Sequence, residues 1–444
     1  MDKFFKITER GSSVRTEIVG GVTTFFAMAY IIFVNPEMLS ATGMDFKGVL
    51  LATCISAAVG CLLTALLANA PFAQAPGMGL NAFFTYTVCF GMGYTWEEAL
   101  AIVLLSGALF LVIAVSPLRG KIIASIPAFL KSAISAGIGL FIAFIGLLNV
   151  KLVGFGSGVP ALQFLVDDGT GTGATVVNTA GILCIIGLLI TAILMCYKVK
   201  GAIVIGIVVT TIIGLPMGQT QIPEAITMEG VSLASVFLKM DFGGIMAKGI
   251  VPLITAVISF ALVDCFDTVG TLIGTATNAG MTDSKGNLPG GDRALIADAI
   301  ATCCGACLGT STVTTFVESS TGISEGARTG LSSIVVGVLF LLACLLAPVA
   351  GIIPPAATAP ALIIVGVLML KGAASIDWND LECAIPAFLT ISMMPFAYSI
   401  SDGIGFGFIS YSVIKLARGK AKEVPVLVYI IAVLFILKYI LTSL

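Results

Sequence analysis

Three carboxylates stand inside stretches of the chain that are otherwise apolar. Asp264 and Asp267 belong to SFALVDCFDTVGT (259–271), and Glu318 belongs to GTSTVTTFVESSTGISEGARTG (309–330). A charge at the depth of a bilayer costs about 2.5–3.5 kcal/mol or more, so such residues are usually functional. Asp264 and Asp267 are three residues apart and share one face of a helix. Two neighbouring carboxylates favour the binding of a proton; for one of them, a hydrogen bond to an adjacent helix is the structural alternative.

The segment around Glu318 is a poor helix former, because it combines several glycines with β-branched residues at 312–315. A second segment of this kind, NAPFAQAPGMGLNAFFTYTV (69–88), has two prolines and two glycines before its apolar end. Irregular backbone survives at membrane depth only inside protein or beside a water-filled cavity. We therefore predict short extended segments at 73–79 and 310–316, each leading into a half-helix near 79–81 or 317–319.

The starts of the two half-helices are candidate ligand sites. Such N-termini carry free N–H groups and partial positive charge, and can hold a polar or partly anionic ligand. Glu318 would accept hydrogen bonds from N–H groups of that ligand; the simpler alternative is that Glu318 or Asn81 only caps its half-helix. Phe83 or Phe316 could stack on a ring, although core packing explains them equally well. The candidate ligand-binding residues are Gly79, Asn81, Phe83, Asp267, Thr315, Phe316 and Glu318, and the candidates for proton binding are Asp264, Asp267 and Glu318.

Other charged residues near the ends of apolar stretches receive simpler interpretations. Glu325 and Arg328 are three residues apart and are expected to form a local ion pair. Asp298 and Lys131 are interpreted as interfacial residues.

The composition places the chain in a membrane. Of its 444 residues, 58% are hydrophobic and 10% are charged, whereas soluble domains are about 45–50% apolar and about 25% charged. The net charge of −2, without basic tails, argues against a nucleic-acid partner. The chain has no histidine, and we identify no nucleophile–base pair and no cluster of metal ligands, so we predict no enzyme, no metal and no cofactor.

The apolar stretches predict fourteen membrane spans. A helix crosses the bilayer with about 20 apolar residues, and two of the predicted spans are too short to cross as regular helices. The predicted spans cover 18–34, 49–68, 80–90, 99–116, 132–150, 176–197 and 201–215, followed by 250–266, 295–308, 309–330, 331–348, 361–370, 381–398 and 403–417. A further apolar stretch at 426–439 is either an added span or an interfacial helix.

The two halves of the chain resemble each other at a near-constant offset. FAM (26–28) corresponds to FAL (260–262), APG falls opposite GTS (309–311), and IPAFL corresponds to APALI (359–363). Because seven spans is an odd number, the second copy is inverted in the membrane. The sequence therefore predicts an all-α polytopic membrane protein of two inverted seven-span repeats, with short extended segments in spans three and ten.

Positive charge orients the chain in the membrane. Arg10 and Arg15 precede the first span. By the positive-inside rule, residues 1–17 form a cytoplasmic N-terminus, and 218–248 form an extracellular loop. If the apolar part of 420–444 crosses the membrane, the C-terminus lies outside.

Four segments in order resemble one family nearly end to end. They are TTFFAMAYIIFVNPEML (23–39), APGMGLNAFFTYTV (75–88), DCFDTVGT (264–271) and TSTVTTFVESSTGISEGARTGL (310–331). Together they resemble the AzgA-like purine permease branch of the nucleobase:cation symporter-2 family.

The resemblance implies a fourteen-span protein with two domains. Spans one to four (18–116) and eight to eleven (249–350) would form a core domain. Spans five to seven (117–217) and twelve to fourteen (351–419) would form a gate domain. The purine would bind between the domains, and a proton would be carried in the same direction.

The resemblance also implies roles for individual residues. Glu318 matches the span-ten residue that binds the nucleobase, and Asp267 matches the acidic residue of span eight. Asn81 matches a span-three position tied to substrate binding, and Asp264 is an extra acid of this branch. Thr271 stands where some relatives have an ionisable residue, so the proton coupling of those relatives does not transfer directly.

The expected function is the import of guanine, hypoxanthine or adenine across the plasma membrane by proton symport, with the core moving against the gate. Sodium is the alternative ion, because backbone carbonyls at broken helices also bind Na⁺. An anion or other small-solute transporter or channel of the same fold is the alternative function, although Glu318 would repel an anion. Glycine-rich spans can pack within one chain or between two copies, so a homodimer is left open.

Overall fold

The computed structural model describes residues 2–116, 125–155, 160–167, 175–222, 230–278, 281, 288 and 290–443. These residues are mostly helical. Two stretches within the predicted gate and loop ranges, 117–124 and 223–229, lie outside the described residues.

The first half of the chain forms nine of the helices that we number here and five short strands. The helices are α1 (Asp2–Phe5), α2 (Val14–Met28), α3 (Ile31–Ser40), α4 (Phe46–Leu63), α5 (Met78–Ala82), α6 (Trp96–Val115), α7 (Ala128–Asn149), α8 (Thr179–Cys196) and α9 (Ala202–Gly214). The strands are β1 (Gln74–Pro76), β2 (Val153–Gly154), β3 (Ala161–Leu162), β4 (Leu165–Asp167) and β5 (Thr175–Val177). π-Helical turns extend α4 over Thr64–Ala68 and α5 over Phe83–Gly91.

The second half adds one strand and a further series of helices. They are α10 (Phe242–Ala247), α11 (Ile250–Asn278), α12 (Gly291–Leu308), β6 (Val313–Thr315), α13 (Ser319–Ser324), α14 (Gly330–Ala343), α15 (Ala347–Ala350), α16 (Pro355–Leu370), α17 (Leu381–Phe396), α18 (Ile400–Ala417) and α19 (Val426–Ser443). Strands β2 and β3 pair with each other, as do β4 and β5, all antiparallel and outside the main helices.

Eight helical stretches of the described chain are long and apolar enough to cross a membrane, by length and composition. They are Val14–Ser40, Phe46–Ala68, Trp96–Val115, Ala128–Asn149, Thr179–Cys196, Ile250–Leu272, Gly330–Ala350 and Pro355–Ser375. Shorter apolar helices are Ala202–Gly214, Leu381–Phe396 and Val426–Ile440. The chain is therefore a mostly helical polytopic membrane protein, while the count of fourteen spans stays a prediction.

Polar side chains fix where several of these helices begin. Asp45 accepts a hydrogen bond of 2.8 Å from the Gly48 N–H group and caps α4. Thr95 and Glu98 form a capping box at α6, in which each side chain accepts a hydrogen bond from the other residue's N–H group. Such caps satisfy N–H groups that the first turn of a helix leaves unpaired.

The helices pack as two groups. In the first group, α2, α4 and α6 contact α12 and α14, and α3, α11 and α13 join them. In the second group, α7 packs against α16 and α17, together with α8, α9 and α18. Both groups use paired glycines, Gly20 with Gly322 in the first and Gly139 with Gly366 in the second, where an added Cβ would overlap the backbone of the facing helix. Small residues at such positions let helices approach closely in a membrane.

An ion pair links the two groups where α13 ends. Lys200, in the turn before α9, lies 2.7 Å from the carboxylate of Glu325. The predicted local pair of Glu325 with Arg328 is therefore wrong; the Arg328 guanidinium donates instead to the carbonyl oxygen of Ile323. The pairing rule for residues three apart holds only within a helix, and here the helix ends at Ser324.

The C-terminal helix α19 belongs to the packed bundle. It contacts α18 and also α11. Lys438, whose side chain is 11% exposed, lies 2.7 Å from the carboxylate of Asp402 in the first turn of α18. The apolar stretch predicted at 426–439 is thus a helix held against its neighbours by an ion pair.

Candidate functional site

Two short strands from the two halves of the chain pair with each other inside the protein. Strands β1 and β6 run antiparallel, with Gln74 opposite Thr315 and Pro76 opposite Val313. Every residue of both strands is buried. The extended segments predicted within 73–79 and 310–316 are therefore confirmed, although the helix after β1 already begins at residue 78.

Backbone hydrogen bonds continue past both ends of this ladder. The Gly77 N–H group donates to the Thr312 carbonyl oxygen over 3.0 Å, and the Phe316 N–H group donates to the Ala73 carbonyl oxygen over 2.9 Å. This pairing matters because lipid offers no partner for backbone groups. We call the place where residues 74–76 pair with 313–315 the β1–β6 crossing. A glycine is needed beside this crossing at position 77, because a Cβ there would overlap the Thr314 side chain.

Each strand leads directly into a helix. After β1, α5 begins at Met78 and its path continues as a π-helix to Gly91. After β6, α13 begins at Ser319, with Glu318 at the N-cap position. The Glu318 side chain makes no capping hydrogen bond to α13, so the interpretation of Glu318 as a simple cap is wrong.

Glu318 is held by a tyrosine from the first span. Tyr30, which lies between α2 and α3 and is almost fully buried, donates its hydroxyl hydrogen to Glu318 Oε1 over 2.8 Å. The Phe316 ring lies nearby, with its centroid 6.5 Å from that of Tyr30. Glu318 itself is half-buried, so its carboxylate is oriented by the protein and is not sealed inside it.

Sequence reasoning missed Tyr30. A signal was present, because a buried tyrosine hydroxyl in an apolar helix needs a hydrogen-bond partner. Its partner, however, is 288 positions away in the chain.

Two of the predicted acids lie on α11, which packs against β6. Asp267 is half-buried and close enough to Glu318 for their charges to interact. Asp264, one turn earlier, is buried, and its Oδ2 atom lies 3.1 Å from the Thr302 hydroxyl of α12. The structure therefore brings Glu318, Phe316, Asp267 and Asp264 into one region beside the β1–β6 crossing.

A fourth acid, Asp298, supports the crossing itself. It is fully buried on α12, and its Oδ1 atom accepts hydrogen bonds from Gln74 Nε2 (3.1 Å) and from the Thr315 hydroxyl (2.9 Å). Its Oδ2 atom accepts from the Thr268 hydroxyl of α11 over 2.9 Å. One carboxylate thus joins both strands and α11.

The interpretation of Asp298 as an interfacial residue is therefore wrong. Its helix packs against α4 and α6 inside the first group, which carries the residue away from the surface. The signal for Asp298 was its position within the predicted span 295–308, where a carboxylate is costly.

The remaining predicted residues lie in packing contacts. The Ser311 hydroxyl donates to Asn81 Oδ1, which ties α5 to the turn before β6. Phe83 is fully buried and stacks edge-to-face on Phe260, with 4.5 Å between ring centroids. Gly79 faces Ile138 of α7, where a Cβ would overlap the isoleucine side chain. Substrate contacts of Asn81, Phe83 and Gly79 stay predictions.

Comparison with known proteins identifies the family of the chain. Residues 15–406 match the family model Xan_ur_permease, which is described as a permease family. The chain belongs to this family. The resemblance to the nucleobase:cation symporter-2 family is thereby confirmed. As a permease with many apolar helices, the chain is a multi-pass protein of the plasma membrane and a transporter, not an enzyme.

Two bacterial relatives of this permease match over nearly their whole length. Adenine permease AdeP of Escherichia coli (strain K12) is 42% identical over 438 residues, covering 99% of this chain and 95% of AdeP. Guanine/hypoxanthine permease PbuG of Bacillus subtilis (strain 168) is 42% identical over 454 residues, covering 99% of each chain.

The fold is also found among solved structures of membrane transporters. The transmembrane domain of a cyanobacterium bicarbonate transporter, BicA, matches with a TM-score of 0.62 and 15% sequence identity, covering 87% of this chain and 97% of that structure. At this identity the likeness concerns the fold alone.

Because Asp298 supports β6, we predict that valine substitutions at two buried threonines of the permease change the free energy of unfolding by different amounts. Thr315→Val removes a hydroxyl donor from a buried carboxylate and should lower the free energy of unfolding by about 1.5–3 kcal/mol. Thr312→Val is the matched control, because the Thr312 hydroxyl has no hydrogen-bond partner within the described chain. Chemical denaturation in detergent compares the two variants, and equal losses would contradict the role of Thr315.

Proposed function

We propose that the chain imports purine nucleobases and that Glu318 binds them. The observation that carries this proposal is the position of Glu318 at the start of α13, oriented by the Tyr30 hydroxyl and not used as a cap. The names of AdeP and PbuG add support, since they specify adenine, guanine and hypoxanthine. These bases are flat, neutral heterocycles that carry N–H donors beside ring-nitrogen acceptors.

A carboxylate is well suited to such a base. One oxygen of Glu318 accepts a hydrogen bond from Tyr30, and the other oxygen remains for ring or exocyclic N–H groups, since an ionised carboxylate offers about four lone-pair sites. Hydrogen bonds to an ionised group are roughly twice as strong as those between neutral groups. Phe316 offers an apolar ring beside this carboxylate for one face of the base.

Proton symport is the proposed driving reaction, with Asp267 and Asp264 as the acids that take up the proton. Asp267 interacts electrostatically with Glu318. A proton on Asp267 would remove one of two neighbouring negative charges, which lets Glu318 stay in the ionised form that accepts N–H donors. Binding of the base and binding of the proton would then favour each other.

We further propose fourteen spans in two inverted seven-span repeats. The antiparallel pairing of β1 with β6, each followed by a helix, supports two oppositely oriented copies. The two packing groups support a core (18–116 and 249–350) that carries the site and a gate (117–217 and 351–419) against which it moves. Movement of the core would expose Glu318 to alternate sides of the membrane.

The alternative of an anion transporter or channel fits the site less well. BicA shares the fold, and half-helix N-termini would serve an anion equally. However, the ionised Glu318 beside the crossing would repel an anion, whereas it attracts N–H donors. The carboxylate therefore favours a neutral substrate rich in N–H groups.

The function is tested by uptake into proteoliposomes that contain the purified protein. With an inward proton gradient, radiolabelled hypoxanthine, guanine or adenine should accumulate above its external concentration, and a protonophore should abolish the accumulation. Replacement of the proton gradient by a sodium gradient is the control for the coupling ion. Purine entry that only equilibrates, unaffected by the protonophore, would show a passive pore.

Glu318→Ala should reduce purine uptake by roughly a hundredfold or more, because it removes hydrogen bonds to a charged group worth about 1.5–3 kcal/mol each. The amount of protein in the membrane should not change. Glu9→Ala is the control, because Glu9 is largely exposed and its ion pair in the described part of the chain is with Lys6, three positions earlier. Undiminished uptake by Glu318→Ala would remove Glu318 from the site.

Tyr30→Phe should raise the purine concentration for half-maximal uptake by about tenfold, since the variant removes one donor to the Glu318 carboxylate and leaves that group less well oriented. Initial uptake rates over a series of purine concentrations measure this change. Tyr429→Phe provides the control, because the Tyr429 hydroxyl donates to the Ala421 carbonyl oxygen in the turn before α19. Similar kinetics for both variants would show that the Tyr30 contact does not serve binding.

A further inference from the structure

Two carboxylates of the first helix group bond to residues of the second group. Glu325, the residue at the end of α13, lies 2.7 Å from Lys200 Nζ in the turn before α9. Glu37, on α3, accepts a hydrogen bond from the Thr358 hydroxyl in the first turn of α16. Both contacts therefore join the proposed core to the proposed gate.

The two contacts lie at opposite ends of the helical stretch Val14–Ser40, which is long enough to cross a membrane. Near the start of this stretch, Glu17 accepts a hydrogen bond of 2.8 Å from the N–H group of Arg328, three residues beyond Glu325. Glu37 lies three residues before the other end. The orientation predicted from the positive-inside rule makes the Glu325 end cytoplasmic and the Glu37 end outer.

Both contacts lie the same number of residues from the candidate site. We call Tyr30 and Glu318 the binding pair, since the Tyr30 hydroxyl donates to the Glu318 carboxylate. Glu37 follows Tyr30 by seven residues along α3, and Glu325 follows Glu318 by seven residues along α13. Seven helical residues span about 10 Å. One short helix thus connects the binding pair to each contact.

The cytoplasmic contact is exposed to solvent. The Lys200 side chain is 57% exposed and the Glu325 side chain is 32% exposed. The turn that carries Lys200 lies against α2, since a Cβ at Gly201 would come within 3.3 Å of Phe26. Loss of an exposed ion pair shifts an equilibrium by up to about fivefold. A contact of this strength can form and break in each transport cycle.

Both partners of the outer contact have another hydrogen-bonding option. Thr358 Oγ1 lies 3.1 Å from the Pro355 carbonyl oxygen of its own helix, so the hydroxyl keeps an acceptor when Glu37 withdraws. Glu37 lines a cavity of about 570 Å³ that also includes the exposed residue Asp45. Water from the surface can therefore reach the Glu37 carboxylate. The outer hydrogen bond can break without leaving a buried group unpaired.

We propose that the two contacts are latches between the core and the gate. Lys200 and Glu325 form the inner latch. Glu37 and Thr358 form the outer latch. Each latch breaks when the binding pair opens to its side of the membrane, and it stays closed when the pair opens to the other side. The part that the latches play in purine uptake rests on the proposed function.

Removal of one latch should favour the state that is open to its side. Lys200→Ala removes the inner latch and should increase the population open to the cytoplasm. Thr358→Val removes the outer latch and should increase the population open to the outside. Because these shifts oppose each other, the combined variant should return toward the balance of the unaltered protein.

Hydrogen–deuterium exchange of the full-length protein without purine measures both sides at once. In Lys200→Ala, amide exchange should increase around the end of α13 and decrease around the start of α16. Thr358→Val should give the reverse pattern, and the combined variant should lie nearer to the unaltered protein than either single variant. Increased exchange only beside each substituted residue, added together in the combined variant, would overturn the proposal.

Two control variants separate the latches from local loss of structure. Lys198 is exposed in the same turn as Lys200, and the part of the chain that the structure describes contains no ion pair of Lys198. The buried Thr255 hydroxyl donates within α11 to the Val251 carbonyl oxygen over 2.9 Å. Lys198→Ala and Thr255→Val should leave exchange on the far side of the membrane unchanged. Reciprocal changes of equal size in these controls would overturn the latch assignment.

Charge exchange tests the inner latch directly. Lys200→Glu places two negative charges in the contact and should shift the exchange pattern further than Lys200→Ala. Addition of Glu325→Lys restores a pair of opposite charges and should reverse most of that shift. An exchange pattern that Glu325→Lys fails to restore would overturn the inner latch.

Purine uptake into cells that produce the protein tests the sides of the latches. External purine meets only the state open to the outside, so the concentration for half-maximal uptake rises as that state becomes rarer. Lys200→Ala should raise this concentration by about two- to fivefold, and Thr358→Val should lower it. Thr358→Ser keeps the hydroxyl and should resemble the unaltered protein. A change in the same direction for Lys200→Ala and Thr358→Val would overturn the proposal.

The latches and the proposed function fail in different ways. If the unaltered protein takes up no purine while the exchange changes are reciprocal, the proposed function is wrong and the latches stand. If purine accumulates with a proton gradient but the exchange changes are local and additive, the function stands and the latches are wrong.

Discussion

Non-helical backbone in the interior of a membrane protein must find its hydrogen-bond partners within the protein, because lipid supplies none. Here β1 and β6 satisfy this requirement only by pairing with each other, from Gln74 opposite Thr315 to Pro76 opposite Val313. The ladder therefore fixes the relative position of two helix starts that are distant in sequence. Glu318 lies at one of those starts, so the geometry of the candidate site depends on the ladder.

The acids near the ladder differ in what surrounds them. Asp298 is buried and receives donors from three elements, which suits a supporting anion. Glu318 is half-buried and receives one donor from Tyr30, which leaves it free to bind a further group. Asp264 is buried, and one of its oxygens has no hydrogen-bond partner among the described residues, whereas Asp267 is half-buried. The balance between the charged and the neutral form of these carboxyl groups thus depends on how deeply each is buried and on how many hydrogen-bond donors face it.

Local sequence chemistry was sufficient for the extended segments. Pro76 and Gly77 on one side, and the run of β-branched residues at 312–315 on the other, both disfavour a regular helix. The contacts that complete the site could not be read in this way. Tyr30 finds Glu318 across 288 positions, and the depth of Asp298 depends on how α12 packs against α4 and α6. The error at Glu325 arose because a helical pairing rule was applied beyond the end of a helix.

The ladder also has a consequence for how the chain is made. Gln74 and Thr315 are 241 positions apart, so the first strand leaves the ribosome long before its partner exists. During that interval the amide groups around β1 must be kept hydrated or be shielded by the insertion machinery. The N-terminal half therefore cannot complete this ladder by itself, and strand pairing becomes a late step of biogenesis that waits for the synthesis of β6.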